Sequence, residues 1–144
     1  MPVPAGLNMR FTGGVGDRHD LAQLFAAADV FVSASLMETY GLTLVEAMAC
    51  GTPVVAFQVG GVPEAAPDGQ GAILCPPQDA AALIQAITKL WASEQLRKTL
   101  GDAGYELAHS RNHQRAFAQA FARVYEDCLR LGRILSVDTP ARIA

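Results

Sequence analysis

Apolar residues along this chain fall into two alternating patterns. Short, nearly continuous runs are separated by longer stretches in which apolar positions recur three and four residues apart. The first pattern is expected of strands covered on both faces, the second of amphipathic helices. "LNMRFTG" (8–14) reads as a short strand ending at glycines. "RHDLAQLFAAA" (18–28) reads as a helix, with Leu21, Leu24, Phe25 and Ala28 at helical spacing. "DVFVSAS" (29–35) is a second strand, "LTLVEAMAC" (42–50) a helix stopped by Gly51, and "PVVAF" (53–57) a third strand. "QVGGVPEAAPDGQG" (58–71) is loop, with one helical turn over 63–66, and "GAILC" (71–75) is a fourth strand. "DAAALIQAITKLWA" (79–92) predicts a helix with Leu83, Ile84, Ile87, Leu90 and Trp91 on its core face. Residues 93–110 predict a helix with a weak point near Gly101–Gly104. Residues 112–131 predict a long helix whose core stripe is Phe117, Phe121, Val124, Cys128 and Leu131. A loose tail over 132–144 closes the chain.

Strands alternating with helices imply an α/β fold, a Rossmann-like doubly wound parallel sheet, forming one domain over 1–131. In such sheets ligands sit outside the carboxyl ends of the strands. Three segments lie there: "GGVGD", "SLMETYG" and "QVGGVPE".

Composition narrows the function. The 144 residues suffice for one domain with its own core; 51% are hydrophobic and 17% charged, which excludes a disordered chain. A net charge of −3 argues against nucleic acid as a partner. No run of eighteen apolar residues could span a bilayer, and the N-terminus lacks the pattern of a signal peptide. Membrane association of other kinds is left undetermined. Three widely spaced cysteines, Cys50, Cys75 and Cys128, read as free thiols in a reducing, cytoplasmic compartment.

The candidate chemistry centres on "SASLMETYGLTLVEAMACGTPVVA" (33–56), with carboxylates at Glu38 and Glu46. Ser35-x-x-Glu38 and Thr43-x-x-Glu46 both fit a capping box, so either glutamate could merely satisfy helix N–H groups. A ligand site is the other reading. Gly41 permits a tight turn, and the amides of Gly41, Leu42 and Thr43 would face outward at a helix N-terminus, where anions bind. A diphosphate there would have Glu38 at one end and Glu46 at the other, and carboxylates accept hydrogen bonds from sugar hydroxyls. A nucleoside diphosphate sugar has that shape. "GGVGD" (13–17) lacks the Lys-Ser/Thr of a phosphate loop and reads as turn glycines. Asp17, His19 and Asp20 read as a helix start, capped by Asp20, rather than metal ligands; no metal is expected. His109 and His113 read as surface residues.

With these residues in place, the chain resembles the group 1 glycosyltransferases, retaining enzymes of the GT-B fold. The resemblance is carried by "F-x-G-x-V" at 11–15, "ADVFVSAS" at 28–35, "E-x-Y-G-L-x-x-x-E-A-M-A-x-G-x-P-V-V-A" at 38–56, "GG-x-P-E" at 60–64 and "G-x-I-L-x-P-P-x-D" at 71–79. It implies that Glu38, the candidate catalytic residue, lies at the donor sugar with Tyr40 and Gly41. It further implies that Leu42 and Thr43 meet the diphosphate, that Glu46 holds the ribose, and that the loop around Val15 lies near the base. Tyr40 departs from the family's usual Phe. No cofactor is implied; the donor is a nucleoside diphosphate sugar.

The resemblance is to part of the C-terminal, donor-binding domain. The strands and helices that carry a cationic diphosphate clamp in the family, and the acceptor domain, have no counterpart in these residues. The expectation is a partial domain that transfers no sugar alone and needs an acceptor domain in cis or in trans. A non-catalytic assembly module paired with a separate acceptor-domain chain, a nucleotide-sugar epimerase on the same fold, and a generic nucleotide-binding domain remain alternatives.

Overall fold

The computed structural model describes residues 8–111 and 114–137. Its elements, in order, are α1 (Arg18–Ala26), β1 (Phe31–Ser33), α2 (Leu42–Ala49), β2 (Val54–Phe57), α3 (Val62–Ala65), β3 (Ala72–Cys75), α4 (Ala80–Ala92), α5 (Glu94–Arg111) and α6 (Gln114–Val137). The three strands form one parallel sheet in the order β1-β2-β3. Phe31 lies opposite Val54, and Val54 opposite Ala72, so the strands stand level across the sheet.

Successive residues of a strand face opposite sides of a sheet. In β2 all four are buried, and they feed two cores. Val54 and Ala56 meet Leu44, Val45, Ala47 and Met48 of α2 and Val62 of α3. Val55 and Phe57 meet Ala86 and Leu90 of α4 and Leu100 of α5. Helices thus cover both faces, as predicted, although the described strands run in one direction without a reversal. The layers are tied at their ends. The Thr52 hydroxyl, 2% exposed, donates to the Phe25 carbonyl at 2.6 Å, joining the end of α1 to the turn before β2. Arg97 closes the end of α4 by donating to the carbonyls of Leu90 at 2.8 Å and Trp91 at 3.1 Å.

Several expectations are corrected. Residues 8–14 form no strand: none of their backbone groups enters the ladder, and Met9 and Phe11 are exposed, so neither pairing nor burial is supplied. β1 is shorter than predicted and is not covered on both sides. Val32 shares a face with its register partner Val55, but α4 lies over β2 and β3 and leaves Val32 exposed. On α4 the buried stripe runs through Ala86 and Leu90, flanked by Leu83 and Ile87; Ile84 and Trp91, seven apart on its shoulder, are exposed rather than core. Helix α5 continues unbroken through Gly101 and Gly104, both buried. Phe121, Val124 and Leu131 on α6 are exposed, as is Cys128, so the predicted core stripe is not core there; the Phe117 side chain and His113 lie outside the described residues. Helix α6 also runs through Val137, past the boundary predicted at 131.

Candidate functional site

Two loops meet at the carboxyl edge of the sheet, one after β1 (34–41) and one after β2 (58–61). The first ends at Gly41, which has φ 90 and ψ 51, a left-handed conformation that favours glycine. From there α2 starts abruptly: Leu44 and Val45 N–H both donate to the Gly41 carbonyl, at 3.0 and 3.3 Å. Thr43 is therefore the second residue of α2 and not its cap, which removes the Thr43-x-x-Glu46 capping box. No helix begins after Ser35 either, so the first box also fails.

What Glu38 does instead is local. Its Oε1 accepts from the N–H groups of Thr39 at 3.1 Å and Gly41 at 3.2 Å, folding the loop around the carboxylate. The Gly41 amide, expected to face a ligand, is thus already used. The next two are not: among the described residues neither the Leu42 nor the Thr43 N–H has an acceptor, and both residues are exposed. A helix start with open amides carries about half a positive charge. Glu46 lies one turn inside α2 and is exposed.

The second loop presses on the first. Gly61 N–H donates to the Glu38 carbonyl at 3.2 Å. A Cβ on Gly60 would lie 1.8 Å from that same oxygen, and one on Gly61 2.2 Å from the Thr39 carbonyl oxygen. The glycine pair is what lets the two loops touch. Sequence reasoning placed "QVGGVPE" at the carboxyl edge of the sheet and found "GG-x-P-E" in a resemblance, but the role of the two glycines needs a partner more than twenty residues away, which no local pattern shows.

The "GGVGD" segment ends in a side chain that already caps the helix after it. Asp17, not Asp20, caps α1: its Oδ1 accepts from the N–H groups of His19 at 2.7 Å and Asp20 at 3.2 Å. Among the described residues no three His, Cys, Asp or Glu side chains are grouped to hold a metal ion. Val15 lines a depression with Asp20, Gln23 and Leu24 on one flank of α1.

A different flank of α1 faces α2 across a cavity of about 320 Å3. Arg18, Leu21, Ala22 and Phe25 line it from α1, one stripe at helical spacing; Glu46, Ala49 and Cys50 line it from α2. Arg18 and Glu46 share this space, yet neither is in an ion pair with any described residue. Burial, and then the Glu46 carboxylate, push the Cys50 thiol up, so it stays protonated. Sequence reasoning missed Arg18 altogether. Its position at the start of an amphipathic helix was legible, but not the helix it faces.

Comparison with known proteins gives the family and the fold. Residues 5–107 match the family described as "Glycosyl transferases group 1". A D-inositol 3-phosphate glycosyltransferase of Streptomyces bingchenggensis is 40% identical over 111 residues, which are 77% of this chain and 24% of that protein. The N-acetyl-alpha-D-glucosaminyl L-malate synthase of Bacillus anthracis is 30% identical over 116 residues, 81% of this chain and 30% of the relative. Among solved structures, sucrose-phosphate synthase from Thermosynechococcus elongatus superposes with a TM-score of 0.71 at 37% identity, covering 85% of this chain and 30% of that one. The HepE protein of Anabaena, solved in complex with UDP, gives 0.70 at 31% identity, covering 76% and 30%. The chain therefore spans no more than about a third of the length of these proteins.

Proposed function

The chain belongs to the group 1 glycosyl transferases, and from that premise we propose that it holds the donor, a nucleoside diphosphate sugar, for a retaining transfer to an acceptor bound elsewhere. One observation carries the reading: α2 begins with two open amides, at Leu42 and Thr43, and has a carboxylate on either side of them. The amides would take the diphosphate. Glu46, one turn along the helix, would accept from the ribose hydroxyls. Glu38, held against its own loop, would stand at the donor sugar with Tyr40 and Gly41 and act there as the catalytic residue. The loop around Val15, which leads directly into Arg18, would border the base. The UDP bound by HepE supports a nucleoside diphosphate as the class of ligand. The acceptor site would be supplied by a further domain, in cis or in trans.

The site carries its own test. Calorimetric titration of the chain with UDP and GDP reads the nucleotide half alone. Glu46→Ala removes ribose contacts and is expected to weaken both nucleotides by at least about tenfold, the cost of one hydrogen bond to a charged group. Inorganic pyrophosphate, which has no ribose, should bind the variant as it binds the parent. Equal loss for pyrophosphate, or no loss for the nucleotides, removes Glu46 from the ribose and with it this reading of the helix start.

A further inference from the structure

A strand at the edge of a sheet turns a row of backbone N–H and C=O groups away from its neighbour. Among the described residues the sheet has two such edges, β1 and β3, and the chain treats them differently. On β3, Val54 N–H donates to the Gly71 carbonyl and Gln58 N–H to the Cys75 carbonyl, so Ala72 and Leu74 are the residues that turn outward. The chain covers both. Gly69 N–H donates to the Ala72 carbonyl at 2.8 Å, and Leu74 N–H donates to Asp68 Oδ1 at 2.9 Å.

β1 has no such cover. Phe31 N–H donates to the Pro53 carbonyl at 2.9 Å, which fixes the phase of the strand: Phe31 and Ser33 turn to β2, and Val32 turns both backbone groups outward. Among the described residues neither group of Val32 has a partner. Its side chain is 40% exposed. From Val30 to Ser35 there is no charge and no proline, two common devices that blunt an edge.

A bare edge takes another strand, and this one is complementary to itself. In an antiparallel pair centred on Val32, each Val32 stands opposite the other and exchanges both backbone hydrogen bonds with it. Val30 and Ala34 share the outward phase, come opposite each other, and extend the ladder on both sides. On one face valine meets valine. On the other, Phe31 meets the small Ser33. The Phe31 ring is already seated edge-on against Phe25, with centroids 5.4 Å apart, so a small neighbour suits it. The antiparallel order also carries the two Asp29 side chains to opposite ends, and no like charges meet.

We propose that two copies of this chain pair through their β1 edges, antiparallel and centred on Val32, into one continuous sheet. The contact uses the same patch on both copies and closes on itself, so it gives a dimer rather than a fibre. The loops that follow β1 leave toward opposite ends of the joined sheet, and both α2 starts stay open. The proposal is independent of the donor-site reading. β1 has only three residues, and so short an edge buries far less than the roughly 1,600 Å2 of a standard interface. A reversible dimer is expected, with a Kd between about 10 µM and 1 mM.

The experiment is sedimentation equilibrium of the chain in reducing buffer from about 5 µM to 1 mM, a span chosen to bracket that Kd. The mass should rise from monomer toward dimer. Val32→Pro deletes the outward N–H and no bond to β2, and Val32→Lys sets two charges face to face across the contact. Each should weaken the dimer at least tenfold, with circular dichroism to verify the fold. Val124→Asp, on the exposed face of α6, should leave it unchanged. If Val32→Pro does not fold, Val32→Lys decides. A monomer at every concentration overturns the proposal. So does a dimer that tolerates Val32→Lys, and loss in Val124→Asp alone would place the contact on α6.

A cross-link supplies a second readout. Cα atoms of a hydrogen-bonded antiparallel pair lie about 5.5 Å apart, within reach of a disulfide. Val32→Cys, in a chain whose exposed Cys128 is replaced by serine, should give a 32-to-32 linked peptide on mild oxidation with diamide. Ile84→Cys in the same background, exposed on α4, should not. Equal cross-linking at both positions would mean random collision and would overturn the Val32-centred pairing.

Discussion

Glu38 is where the capping question posed by the sequence is decided. A helix cap at Gly41, two residues ahead of the predicted cap at Thr43, removes the box at Glu46, and the absence of a helix directly after Ser35 removes the box at Glu38. The Glu38 carboxylate nevertheless does structural work, accepting from Thr39 and Gly41 N–H while its carbonyl accepts from Gly61. Two roles are superposed, and two substitutions separate them. Glu38→Gln keeps an acceptor oxygen for the loop and removes the charge, so stability should stay within about 1 kcal/mol of the parent. Glu38→Ala removes both, and should cost about 1–3 kcal/mol in urea denaturation. Both should lose whatever affinity the sugar adds over the free nucleotide. Local spacing could name Glu38 and Glu46 but could not rank their roles, because ranking needed the dihedral angles at Gly41 and the approach of Gly60 and Gly61.

Between elements, α5 packs against the end of α2 and the turn before β3, and this explains the two glycines that sequence reasoning took for a weak point. A Cβ on Gly101 would lie 2.3 Å from the Gly51 carbonyl oxygen, a backbone atom at the end of α2. A Cβ on Gly104 would lie 3.1 Å from the Gly71 Cα and 3.2 Å from Met48 Cγ. These glycines are contact points, and helical period alone cannot distinguish a gap in a stripe from a place where another backbone sits. The distances rank two substitutions. Alanine is about 1 kcal/mol better than glycine inside a helix. At Gly101 that gain is outweighed by a backbone clash, so Gly101→Ala should destabilise by about 1–3 kcal/mol. At Gly104 the nearest atoms, the Gly71 Cα and the Met48 stem, lie at 3.1 Å and beyond, so a shift of a few tenths of an ångström suffices and Gly104→Ala should destabilise less than Gly101→Ala. Thermal unfolding of the two variants side by side checks the order. Strands and helices with local partners, such as β2 and α4, were legible for the converse reason. Continuous burial and a single stripe are written in neighbouring residues, whereas the exposure of Trp91 depends on how far the sheet extends beneath α4.

For the whole molecule, charge decides how much chemistry this site can supply by itself. In the proposed site a diphosphate would bring about two negative charges, with Glu38 and Glu46 on either side of it. Against them the start of α2 offers about half a positive charge. Among the described residues Arg18 is the one cation lining the α1–α2 cavity, and as a single exposed side chain it offsets at most one of those charges. Stabilising the charge that develops on a leaving group is a large part of transfer catalysis, and this balance does not provide it. We therefore expect the 144-residue chain to bind a nucleoside diphosphate sugar without consuming it. The check is release of free nucleotide from UDP-glucose and GDP-mannose, compared with a protein-free control, at concentrations where titration shows the complex to be populated. Release at the control rate, with binding intact and sensitive to Glu46→Ala, is the expected result. Sustained release by the chain alone would mean that the two amides and Glu38 suffice for leaving-group departure, and the electrostatic argument would be wrong. Release that begins only when the clamp-bearing strands and helices of the donor-binding domain are added together with the acceptor domain would locate the missing positive charge on those elements.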